Sequence, residues 1–142
     1  MAEQTERFLS IVRQIADTDE VISFHERNDR CVFFEVRTEQ GRSQVVMAQL
    51  IDAGGGVQMV HMMSEIGPAD PSLYEAMLVR NLSFCYARLA LVEGDGGGYN
   101  FAVVYAYPLS ELEVVEFARA FGEVAYMADG IERELYGGSD KT

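Results

Sequence analysis

Few residues in this chain could do acid–base, nucleophilic or metal chemistry. His25 and His61 are the only histidines, and Cys31 and Cys85 the only cysteines. Neither histidine belongs to a His-x-x-x-His spacing and the cysteines form no Cys-x-x-Cys pair, so a metal centre has no local signature. Cys85 and His61 could be drawn as a nucleophile and base, but the sequence supplies neither an orienting group nor an activating charge. Asp129 and Glu132, three residues apart on one helix, have the types of a paired-carboxylate site. With nothing to raise the pKa of one of them, they read as exposed helix charges. Gly54-Gly-Gly56 and Gly96-Gly-Gly98 resemble phosphate loops only in composition. Such loops join a strand to a helix N-terminus, whereas these join strand to strand, and no Gly-Lys-Ser/Thr follows. The residues therefore predict no enzyme, no cofactor and no metal.

The elements that must hold these residues are clearer than any chemistry. The chain has 142 residues, 49% of them hydrophobic, and a formal charge of −12. That is enough apolar material for one packed domain without disulfides. The acidity argues against nucleic acid and anionic membranes as partners, because both recruit Lys/Arg clusters. No stretch is apolar enough to span a bilayer and the first residues lack the pattern of a signal peptide, so the expected compartment is the cytoplasm. The acids thicken over 110–135, which reads as a solvated helix face. Cys31 and Cys85 read as buried free thiols in strands.

Phe8, Ile11, Val12 and Ile15 recur at helical spacing and predict a helix over 3–16. Short β-branched and aromatic runs at 21–26, 31–38, 43–52 and 57–65 predict strands, the first of them the weakest. Asp70-Pro71 suits the cap and first position of a helix over 71–82. Strands at 84–93 and 99–107 follow, joined by a glycine loop. Ser110-Glu-Leu-Glu113 reads as a capping box opening a last helix that runs to about 135. Residues 137–142 read as a flexible tail. The expected fold is therefore one α+β domain over 1–136, ordered α-β-β-β-(β)-α-β-β-α, with an antiparallel sheet of five or six strands.

Four-residue turns at 39–42 and 53–56 would pair Thr38 with Ser43 and Asp52 with Val57. One face would then carry Val32, Phe34, Val36, Val45, Met47, Val60 and Met62. The other would carry Cys31, Phe33, Glu35, Arg37, Val46, Ala48, Leu50, Met59, His61 and Met63. In strand 99–107 neither alternate set is polar. A sheet with one wet side should alternate cleanly. The second face therefore calls for a cover: the chain's own helices, a second copy, or a bound partner segment, for which methionines adapt well.

Leu78-Val-Arg-Asn-Leu82, Tyr86-Ala-Arg-Leu-Ala-Leu91, Phe101-Ala-Val-Val-Tyr-Ala-Tyr-Pro-Leu109 and Val124-Ala-Tyr-Met-Ala-Asp-Gly-Ile-Glu132 together resemble the YbjN family. The fold of that family resembles the type III secretion chaperones. The resemblance implies an α-β-β-β-α-β-β-α domain, often a homodimer, that holds an extended client segment over apolar surface. A regulatory role is the other function attached to YbjN proteins. Joined to the apolar sheet, it implies a chaperone-like protein-binding module. Phe8, Val12, Phe33, Met59 and Met63 would then touch a client, and Leu78, Leu82, Phe84 and Tyr86 would form the dimer seam. The alternative is a regulatory or sensory domain binding a small apolar ligand between sheet and last helix, or a protein partner.

Overall fold

The computed structural model describes residues 2–39 and 41–136; the expected tail at 137–142 lies outside them. Helix α1 (Ala2–Ala16) precedes four strands, β1 (Val21–Asn28), β2 (Cys31–Arg37), β3 (Ser43–Asp52) and β4 (Gln58–Pro68). Helix α2 (Tyr74–Arg80), strands β5 (Arg88–Glu93) and β6 (Tyr99–Pro108) and helix α3 (Val114–Tyr136) complete the chain. All six strands form one antiparallel sheet in the order β1-β2-β3-β4-β6-β5. The expected α+β class holds, and the doubtful first strand is present.

The loops are tighter than expected. Thr38 N–H donates to Arg42 O (3.2 Å) and Ala53 N–H to Val57 O (2.9 Å), so each turn encloses three residues rather than four. Gly41, Gly54, Gly55 and Gly56 all take positive φ, which closes such short loops at little steric cost. One residue fewer in each loop moves β3 by one position against both neighbours. Arg37 pairs with Ser43, Phe34 with Val46, Ala48 with Met62 and Asp52 with Gln58. A one-residue slip turns every side chain of a strand over. Val46, Ala48 and Leu50 therefore face the core, and Val45 and Met47 face away, the reverse of the expectation. The two slips add to a shift of two positions between β2 and β4, and a two-residue shift leaves their faces as expected.

The core lies between one sheet face and the helices. Phe8, Ile11, Val12 and Ile15 of α1 and Phe117, Phe121, Val124, Ala128 and Ile131 of α3 pack on Val32, Phe34, Val46, Leu50, Val60, Met62 and Val103. The Phe34 and Phe121 rings meet edge-on, with centroids 4.8 Å apart. Helix α2 joins the same layer: Met77 is buried, and Tyr74 lies edge-on to Phe101 at 6.1 Å. Asp70 accepts from Ser72 N–H at 3.0 Å with Pro71 in the first turn, as the sequence implies. The last helix begins later than the capping box suggests. Residues Leu109–Glu111 form a short 3-10 turn ending in extended Leu112, and α3 starts at Val114. Strand β5 likewise begins at Arg88, four residues later than expected.

Candidate functional surface

Every helix packs against the same side of the sheet, which leaves the other side without a cover from the described chain. Register places Phe33, Met47, Met63 and Val104 side by side across four strands of that open face, flanked by His25 and Arg88. Cys31, Gln49, His61 and Ala106 form the next row, and Ile51, Met59 and Pro108 the third. Phe33, Met47, Ile51, Met59, Met63 and Val104 are half-buried by their strand neighbours alone, and Val45 is 56% exposed. None of them belongs to the core cluster or packs against it. Flexible thioethers beside a phenyl ring make an adaptable apolar surface. A continuous apolar patch on an uncovered sheet face is a candidate contact surface.

The rim of the face is polar and balanced. Glu35 accepts from Ser43 Oγ (2.9 Å) and Ser23 Oγ (3.4 Å), while Glu65 accepts from Asn100 Nδ2 (2.9 Å). Arg37 and Arg88 stand at the same rim. Two acids against two guanidinium groups leave this side formally neutral on a chain carrying −12.

The residues with catalytic types are not brought together. His61 stands in the middle of the open face, whereas the backbone N–H of Cys85 is held by Glu123 of α3, on the helix side. Cys31 is buried, but Cys85 is exposed in the segment before β5, contrary to the expectation of two buried thiols. Asp129 and Glu132 are not exposed helix charges. Both are buried, with Asp129 Oδ1 at 2.9 Å from Arg42 Nε and Glu132 Oε2 at 3.9 Å from Arg42 Nη2. The β2–β3 turn delivers that guanidinium, so the pair of acids is a structural ion cluster. Burial pushes the Tyr105 phenol up to about 12, with Tyr107, Glu116 and Tyr86 adding to it, so it remains neutral at physiological pH. Among the described residues no group of three or more His, Cys, Asp or Glu is placed to hold a metal. No helix among them is long and apolar enough to cross a membrane.

The glycine runs close hairpins. Gly94 N–H donates to Gly98 O at 2.8 Å, and the Gly54–Gly56 loop joins β3 to β4. No helix starts at either.

The topology has a counterpart among solved structures. A crystal structure of YbjN from E. coli, described as "a putative transcription regulator", superposes with a TM-score of 0.51 over 94% of this chain and 92% of that one. The chain has a YbjN-like fold. The two sequences are 16% identical, and at that level the likeness concerns architecture alone. No protein-family model matches the sequence, and no curated protein is significantly similar to it.

Within the YbjN-like fold, the residues singled out from the sequence separate into three groups. Phe33, Met59 and Met63 lie on the open face. Phe8 and Val12 are fully buried under α1, where they meet the chain's own sheet and are closed to a client. Leu78 and Leu82 are 68% and 90% exposed on and after α2, Tyr86 is half-buried, and Phe84 is turned into the core. Phe84 thus has no side chain to offer a seam. A small apolar cavity of about 110 Å³ lies beneath α2, lined by Tyr74, Met77, Leu78, Leu89, Leu91 and Phe101, away from the last helix where a ligand was expected. Sequence reasoning missed Met47, Val45 and Val104 as members of the surface. The absence of a polar set in β6 was the signal available for Val104.

Proposed function

We propose that this protein is a non-enzymatic, chaperone-like binding module that holds a segment of another polypeptide on the open face of its sheet. The observation that carries the reading is the continuous row Phe33–Met47–Met63–Val104, apolar and uncovered on a folded chain. Methionine side chains reshape around varied aliphatic partners, as a holder of an unfolded segment requires. The neutral rim accepts a segment of either charge, while the acidic remainder keeps the particle in solution. An acidic protein of this kind works in the cytoplasm on protein partners rather than on nucleic acid or membranes.

Met59→Asp/Met63→Asp tests it. Wild-type protein is expected to capture a stoichiometric polypeptide from an extract of its own organism, and the double variant, folded by circular dichroism, is expected to capture none. Equal capture by both proteins contradicts the assignment.

The cavity beneath α2 favours one second reading, a regulatory domain that binds a small apolar ligand. Its volume is close to that of a cavity that accepts benzene. Native mass spectrometry showing a bound small molecule, lost on Leu89→Trp, would support that reading over the first.

A further inference from the structure

We propose that the cavity beneath α2 takes the apolar end of a small amphipathic amine, whose ammonium head rests between Glu75 and Glu93. This rests on the reading of that cavity as a ligand site and names the class of compound it admits.

The apolar end follows from the walls. Tyr74, Met77 and Leu78 of α2 form the roof, and Leu89, Leu91 and Phe101 of β5 and β6 form the floor. None of these side chains carries a charge, and the edge-on Tyr74 and Phe101 rings offer an aromatic wall. A volume of about 110 Å³ suits one group the size of a phenyl ring or a branched butyl chain. Leu78 and Leu91 are 68% and 40% exposed, so the cavity opens to solvent between α2 and the edge strand β5. Leu78 also belongs, with Val79 and Leu82, to the most exposed apolar group among the described residues. Those side chains widen the apolar approach to the mouth.

The head follows from charge. Pairing of β5 with β6 sets Leu91 opposite Phe101 and, on the same face one row further out, Glu93 opposite Tyr99. Glu75 lies three residues before Leu78 and so beside it on α2. Glu75, Glu93 and Tyr99 are all exposed. The only basic residues of α2, β5 and β6 are Arg80 and Arg88. Glu134 holds Arg80 through two bonds of 2.7 and 3.0 Å, and Arg88, next to Leu89 in the strand, turns to the other face of the sheet. The mouth is therefore acidic, with a phenol face beside it that favours a cation. An anionic head would meet two like charges there, whereas an ammonium head meets two partners.

Three probes with one phenyl body and different heads test this: 2-phenylethylamine, 2-phenylethanol and phenylacetate. Each is titrated into the full chain at low salt and followed on the Met77 methyl signal. The amine is expected to shift that signal and to bind at least about threefold more tightly than the alcohol, the gain typical of partly exposed ion pairs, with phenylacetate the weakest. Glu75→Gln combined with Glu93→Gln, both at exposed positions, is expected to erase the difference between amine and alcohol. Wild-type affinities that do not favour the amine, or a preference that survives the double variant, would overturn the ammonium assignment while the cavity remains a ligand site. A Met77 signal unmoved by all three probes would overturn the cavity reading and this inference together.

Discussion

Single side chains finish what the backbone leaves open around the edge of the sheet. Glu123 accepts the backbone N–H groups of Cys85 (2.8 Å), Tyr86 (2.6 Å) and Ala87 (2.6 Å), tying the approach to β5 onto α3. Asn81 Oδ1 accepts Leu89 N–H at 2.6 Å, so one amide side chain stands in for a neighbouring strand. Charge-assisted bonds of the Glu123 kind are the strong ones. Glu123→Gln is expected to lower stability by about 1–3 kcal/mol in urea unfolding, because it removes the charge and one acceptor from three donors. Arg42 is the other such residue. Arg42→Met leaves two buried carboxylates without their cation and is expected to cost about 3–5 kcal/mol, measured in the same way. Neither role was legible in the sequence. Asp129 and Glu132 look like solvent charges until a turn 87 residues away brings Arg42 to them, and Glu123 looks like one more acid on an acidic helix. Asn81 stands within the Leu78–Leu82 stretch that carries the YbjN resemblance, but nothing in that stretch announces its bond to β5.

At the scale of elements, hydrophobic periodicity located every helix and strand, while loop chemistry decided the register. Counting four residues into each glycine turn reverses β3 alone, since the errors on its two sides add to two at β4 and a shift of two keeps the same face. The open face was therefore foreseen through Phe33, Met59 and Met63 but misread at Val45 and Met47. The capping-box pattern at Ser110 misled for a related reason: Pro108 and Leu112 hold extended backbone on either side of a single 3-10 turn, and the helix begins after them. Gly67 marks where β4 bends into contact with α3. A Cβ there would sit 2.6 Å from Tyr136 Oη at a φ of +154°, and that hydroxyl donates to Pro68 O at 2.7 Å. Gly67→Ala is expected to destabilise by about 1–3 kcal/mol through overpacking. Tyr136→Ala in the same chain should recover part of that loss in a double-mutant cycle. Equal losses with and without the ring would show that the contact is not responsible.

The whole molecule is two layers where three would seal it. Helices α1, α2 and α3 close one side of the sheet, and the acids concentrate on that side and its edges. The opposite side is apolar across its middle with a rim of balanced charge, and this asymmetry, rather than any residue of catalytic type, is the basis for the proposed binding function. Methionine methyl NMR with a soluble paramagnetic probe tests it most directly, because the same residue type samples both sides. In dilute protein the Met47, Met59 and Met63 signals should broaden strongly while buried Met62 and Met77 are spared, and the three should recover protection as client binding proceeds. Three methyls as sheltered as Met62 in a dilute monomer would contradict the account.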